Sequence, residues 1–185
     1  MIKIDEPALA LNDTRLRRGH YRLSRSIKVR ADDSRENLVA CVAAIAAGQP
    51  GGKLKNLVLN SHALPGLLLM GEGFWEPHAK LFERWSGLID NIWITACEIA
   101  SRCPPPPDAE LPDWIKGQPG DGYLFCREIA MRARSNVIAS MAAQDIPNHQ
   151  RIPDGYIDAF EGMVLCFRPT GDIAWAHRYA LHNGE

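Results

Sequence analysis

Asn56-Leu57-Val58-Leu59-Asn60-Ser61-His62 and Asn91-Ile92-Trp93-Ile94-Thr95-Ala96-Cys97 decide the fold. Each is a run of strand-forming apolar residues that ends on a reactive side chain. Runs of this length, rich in branched and aromatic residues and bounded by turn signals, suit strands buried inside a parallel sheet. Between them, Pro77 to Gly87 sets Leu81, Phe82 and Trp85 against Lys80, Glu83 and Arg84. That pattern predicts a helix, the usual crossover between two parallel strands. Binding and chemistry in open α/β sheets collect at the carboxyl ends of the strands. His62 and Cys97 are therefore expected side by side on one edge.

Upstream, residues 1–19 show no clear period and end in Arg15-Leu16-Arg17-Arg18-Gly19. They read as a polar N-terminal arm, and residues 20–185 as a single α/β domain. Tyr21, Leu23, Ile27 and Val29 alternate with Arg22, Ser24, Ser26, Lys28 and Arg30, which predicts a half-exposed strand. Seven basic residues fall between Arg15 and Arg30. Without an aromatic platform beside them, they read as a solvated strand face that discourages edge pairing rather than as a phosphate-binding stripe. Asp33 and Glu36, at capping-box spacing, predict a helix that runs to about Ala47, with Gly48 and Pro50 as stops.

Downstream of His62, Ala63-Leu64-Pro65-Gly66 predicts a tight turn and Leu67 to Met70 a short strand or hairpin arm. Cys103-Pro104-Pro105-Pro106-Pro107-Asp108 opens a Pro/Gly-rich stretch that reads as a loop over 103–121, a mobile rim directly downstream of Cys97. Gly122 to Arg134 predicts a second helix and Val137 to Met141 a further strand. Gln144 to Tyr156 reads as a polar loop. Met163 to Phe167 and Ile173 to Tyr179 make a closing hairpin about Arg168 to Asp172.

The bulk numbers narrow the classes. A chain of 185 residues can bury one good core. A net charge of −1 gives no global case for nucleic acid or an anionic membrane surface as partner. No apolar stretch approaches the roughly 18–20 residues that span a bilayer. Met1 to Asn12 lacks a basic region followed by an apolar core, so no secretory signal is expected. Five cysteines, an odd count without CxxC spacing, favour reduced thiols in a cytoplasmic compartment, and delivery by a signal-less route would look the same. The spacing of Gly66, Gly71 and Gly73 fits no nucleotide-binding fingerprint, and the histidines show no zinc spacing. No cofactor and no metal are expected.

A thiolate is a competent nucleophile at neutral pH when an imidazole or a positive dipole lies near it. Acyl transfer also needs donors for the developing oxyanion, which backbone N–H groups in a tight turn can supply. A Cys at one strand end, beside a His followed by a small-residue turn, meets both needs. Taken alone, Cys97 would more often be a packed structural thiol; the pairing with His62 is what raises the chemical reading.

Ser61-His62-Ala63 and Thr95-Ala96-Cys97-Glu98, each after its own apolar block and in this order, resemble the two motifs of the caspase-like (clan CD) cysteine peptidases. These include caspases, metacaspases, legumain, gingipains and separase. The stretch from Ser61 to Gly71 is similar to the His-Gly-x-Pro-Gly-x-x-x-x-x-Gly pattern of bacterial caspase-like domains, with Ala63 standing where the family has Gly. The resemblance covers roughly residues 55–179. It implies a three-layer αβα sandwich with a mostly parallel sheet and a C-terminal β-hairpin, although one strand–helix unit fewer than a full caspase core is counted before His62.

By the same resemblance, Cys97 is the nucleophile, His62 the catalytic imidazole, and the N–H groups of Ala63 and Cys97 the oxyanion donors, with a peptide or protein as substrate. Arg30, Asp32 and Glu98 are the charged candidates for the substrate pocket. Arg30 would imply an acidic partner, and Asp32 or Asp33 a basic one. Asp108, Asp113 and Asp121 are candidate self-cleavage points. The alternatives are a catalytically inactive caspase-like module that binds a protein partner and a small-molecule thiol hydrolase.

Overall fold

The structure is a computed structural model and describes residues 1–17, 19–102, 120–144 and 152–180. The expected rim over 103–121, with Cys103, Asp108 and Asp113, lies almost wholly outside the described residues.

In chain order the elements are β1 (Ile2–Lys3), β2 (Ala8–Asp13), β3 (Arg25–Val29), α1 (Arg35–Ala47), β4 (Leu54–Asn60), β5 (His62–Leu64), β6 (Leu67–Leu69) and β7 (Phe74–Trp75). A 3-10 helix (Glu76–Trp85) and β8 (Ile89–Ile94) follow, then α2 (Gly122–Ala133), β9 (Asn136–Ser140), β10 (Tyr156–Ile157), β11 (Gly162–Phe167) and β12 (Ile173–Tyr179). Seven strands form one sheet in the order β3-β2-β4-β8-β9-β11-β12. The first five run parallel, and β11 and β12 pair antiparallel. β5, β6 and β7 make a separate small sheet, and β1 pairs with β10.

Two expectations are corrected here. The segment read as a polar arm contains β2, every residue of which is buried between β3 and β4. Its apolar residues are mostly small, which hid a central strand: Leu9 and Leu11 face the helices, while Ala8 and Ala10 face the thinner side. β2 also supplies a strand missing from the count before His62. Secondly, the three expected layers become two among the described residues. α1 and α2 both pack on the 3-10 helix, so the helical segments share one face. The other face is covered by Ile157 from β10 and by Ile4, Tyr21 and Phe160 from connecting chain.

The helical face holds the larger core. Phe82 of the 3-10 helix meets Phe74, Trp85 and Phe125 at ring-centroid separations of 5.3, 4.8 and 6.5 Å. Trp85 Nε1 donates to Val39 O of α1 at 2.9 Å, so the indole is satisfied where it is buried. α1 is capped by Ser34 rather than Asp33: Ser34 Oγ accepts from Asn37 N, while Asp33 Oδ2 accepts from Arg30 N in the preceding turn. The crossover before β8 is a 3-10 helix opened by Pro77. Its basic counterpart β3 is an exposed edge strand five residues long, and Tyr21 and Leu23 precede it rather than belong to it.

Past β8, Gly122 N–H donates to Ser101 O at 2.9 Å. A Cβ on Gly122 would lie 2.1 Å from Ile99 O, so only glycine fits this contact. No helix of the described residues is long and apolar enough to cross a membrane.

Candidate active site

β4 and β8 are parallel neighbours, and their register keeps one offset, Leu54 to Ile89 and Leu59 to Ile94. His62 and Cys97 stand in that same offset just beyond the two strands. Neighbouring strands lie about 4.8 Å apart, so both residues leave the sheet at one opening on its carboxyl edge. The order of the sheet places the carboxyl ends of the two strands side by side.

His62 opens β5, and its ring is exposed. β5 pairs with β6 through His62↔Leu69, Ala63↔Leu68 and Leu64↔Leu67. Pro65 and Gly66 (φ +71°) form the two-residue connection, Pro at the second and Gly at the third position as a type II turn requires. With Leu64 and Leu67 closing the hairpin, Ala63 falls in the non-hydrogen-bonded pair, so its N–H points away from β6. The conformation that freed this donor does not need glycine at position 63. Gly66 N donates to Ile99 O at 3.2 Å, tying the His62 hairpin to the turn that carries Cys97.

Cys97 is half-buried and is followed by Glu98 at φ +51°. A left-handed conformation in a residue other than Gly costs of order 1 kcal/mol and marks a turn imposed by its surroundings. Here Glu98 N donates to Ala142 O and Ala100 N to Ser140 O, which fastens the turn to the end of β9. Cys97 Sγ lies 3.4 Å from both the N and the O of Gln144. Among the described residues the sulfur has no hydrogen bond to the His62 ring, and no bond occupies the Cys97 N–H.

Gln144 is itself pinned. Its Nε2 donates to Ser140 Oγ, Ala142 O, Ala143 O and Glu161 O, and its Oε1 accepts from Glu161 N. Sequence reading placed Gln144 at the start of a polar loop, and nothing local announces this role. The other thiols among the described residues differ from Cys97. Burial pushes the Cys126 thiol far up and raises that of Cys166, whereas Cys41 is exposed on α1. The buried pair is thereby poorly disposed to form thiolates.

The chain matches no protein-family model, no curated protein and no solved structure.

The charged pocket candidates separate. Glu98 stays beside Cys97, exposed. Arg30 and Asp32 follow β3, three strand positions from β8, and pair with one another at 3.4 Å on the surface. The structure does not bring them to the opening. Asp121 is the N-cap of α2, its Oδ1 accepting from Leu124 N. Among the described residues no group of three His, Cys, Asp or Glu side chains is placed to hold a metal.

Two groups at the same edge were not singled out in the sequence. Asp13, fully buried at the end of β2, takes a two-pronged contact from Arg15 (Nε to Oδ1 and Nη2 to Oδ2, both 2.7 Å). It also accepts from Gly71 N, while Arg15 donates to Leu69 O and Gly71 O. This network holds β6, and with it the hairpin of His62. Nearer the helix-free face, Asn60 Nδ2 donates to Asn12 Oδ1 and Gly19 O, and Asn12 exchanges two bonds with the Tyr21 backbone. Paired buried amides of this kind satisfy one another and hold Tyr21 across the strand ends.

Proposed function

We propose that the chain is a cysteine peptidase-like hydrolase of the caspase-like class, attacking a peptide carbonyl through Cys97 with His62 as acid and base. The observation that supports this reading is the parallel pairing of β4 and β8, the two strands whose carboxyl ends lead into His62 and Cys97. The strained turn at Glu98 and the outward N–H of Ala63 support it. In the reaction, the Cys97 sulfur forms a bond to the carbonyl carbon, and the oxygen takes up negative charge facing the N–H groups of Ala63 and Cys97. The C–N bond breaks as the imidazolium of His62 gives its proton to the leaving amine. Water then attacks the thioester, its proton passing to His62, and the acid and free thiol are released.

A peptidyl acyloxymethyl ketone tests this directly, because it modifies only a thiol that an active site presents to a carbonyl. Mass spectrometry should find the adduct on Cys97, lost in Cys97→Ala and in His62→Ala. An adduct that persists in Cys97→Ala, or labelling that is indifferent to His62, would dismiss the proposal.

A second reading, a catalytically inactive caspase-like module that binds a protein partner, is favoured by one observation. Cys97 Sγ is engaged by the Gln144 backbone, not by the His62 ring. That reading predicts no reaction with the ketone and partner capture that survives Cys97→Ala.

A further inference from the structure

β3 is the outermost strand of the large sheet and pairs with β2 alone. Thr14 N donates to Val29 O at 2.8 Å, which fixes the direction of the strand's backbone groups. These alternate along a strand, so Arg25, Ile27 and Val29 face β2, while Ser26 and Lys28 turn their N–H and C=O groups outward. Both outward residues are exposed, and among the described residues nothing bonds to those backbone groups.

The next outward residue shows how the chain itself closes such an edge. Arg30 N donates to Asp33 Oδ2 at 2.8 Å, and Arg30 O accepts from Asp33 N at 3.1 Å. The Arg30 guanidinium stands 3.4 Å from the carboxylate of Asp32 and 3.7 Å from that of Asp33. Backbone bonding and opposite charge coincide where an acidic stretch meets this edge. Further back along β3, Arg25 and Lys28 are exposed, and no carboxylate among the described residues pairs with either.

We infer that the free edge of β3 is a docking site for an extended acidic segment of a partner protein, which joins the sheet as a further strand. The segment would donate N–H groups to Ser26 O and Lys28 O and accept from the two outward N–H groups. Ile27 and Val29 pack towards the helical core, so Arg25 shares their face and Lys28 points to the other. Carboxylates opposite Arg25 and Lys28 therefore fall three positions apart in the partner, with an apolar residue between them against half-buried Ile27.

Other occupants fit less well. A second copy of this chain would set Arg25 and Lys28 against their own kind, and like charges across a strand pair are destabilising. The phosphates of a nucleic acid would neutralise both cations but only accept hydrogen bonds, leaving Ser26 O and Lys28 O without donors. The edge lies three strand positions from β8, remote from the chemistry proposed for Cys97.

A synthetic peptide, acetyl-Thr-Glu-Val-Val-Glu-Thr-amide, presents this pattern in either strand direction and can be titrated into the full chain. Nuclear magnetic resonance reads affinity and amide exchange together. The peptide should bind, slow exchange at Ser26 and Lys28, and lose at least tenfold in affinity for Arg25→Glu/Lys28→Glu. That variant should instead prefer the counterpart peptide with lysine in place of both glutamates. A version N-methylated at both valines, its charge intact, should bind the parent protein at least tenfold more weakly. Unchanged exchange at Ser26 and Lys28 at about 1 mM peptide, equal affinity for the lysine peptide, or undiminished binding of the N-methylated one would overturn the inference. So would tighter binding of a short single-stranded oligonucleotide of the same charge.

Discussion

The backbone of Gln144 brackets the sulfur of Cys97, its N and O each 3.4 Å from Sγ. The N–H can donate to a thiolate, and the carbonyl can accept from the thiol, so one residue serves both protonation states. What keeps it there is its own carboxamide, locked to Ser140, Ala142, Ala143 and Glu161. Gln144→Ala removes those bonds and should lower stability by about 2 kcal/mol, read as a fall in the denaturant midpoint. Labelling of Cys97 by the peptidyl acyloxymethyl ketone should drop at least tenfold, more than the stability loss accounts for at temperatures where the variant is folded. Unaltered labelling kinetics would show that the bracket does not position the thiol.

Tyr21 gives a pH test. Burial is the main cause that pushes its hydroxyl up to about 12 from an ordinary 10.0, with the charge of Asp158 adding to it. The folded state therefore holds the proton over a range in which the unfolded state has lost it. Its stabilising share is intact below pH 10 and disappears as pH climbs towards 12, about 3 kcal/mol in all. Stability measured from pH 9 to 12 should fall more steeply in the parent protein than in Tyr21→Phe. Identical slopes would mean that the hydroxyl is not buried in solution.

The contact between Asp13 and Arg15 predicts a large and asymmetric effect. Asp13→Ala strips the partner from a part-buried guanidinium and leaves Gly71 N–H without its acceptor. The cost should be about 3 kcal/mol, or roughly 6–12 °C in melting temperature for a domain of this size. Arg15→Met, which keeps much of the packing but leaves the Asp13 carboxylate buried, should cost at least as much. A melting curve unmoved by either change would place the network outside the cooperative fold.

Gly66→Ala probes the coupling between the two motifs. An alanine Cβ would sit 2.7 Å from Gly120 Cα, in a left-handed turn position at φ +71°. Relief requires the hairpin to move away from Ile99, so stability should fall by about 2 kcal/mol and amide exchange at Gly66 should accelerate. Wild-type exchange at that amide would refute the link.

How much of this was legible depends on the range of the forces involved. β4 and β8 announce themselves because strands buried on both faces leave continuous apolar runs. Their adjacency follows from the helical crossover between them, as far as its existence, though not its 3-10 form. β2 stayed hidden because alanine suffices where a covering segment lies close, and the pattern Ala8-Leu9-Ala10-Leu11 is too mild to stand out beside Arg15 to Arg18. The helix cap moved by one residue because Asp33 is drawn back to Arg30 N. Tyr21, Gln144 and Asp158 were invisible for a different reason: what makes them matter is a neighbour far along the chain, and no local periodicity encodes such a partner.

The junction where Gly122 N–H meets Ser101 O has an evolutionary consequence. The two sides of this doorway, Ser101 and Gly122, stand one hydrogen bond apart and outside the sheet. For a flexible insert spliced there, each doubling of length costs only about 0.6 kcal/mol of closure entropy. Selection can therefore rewrite an insert at this doorway, residue by residue or by whole modules, without disturbing the register of β4 and β8.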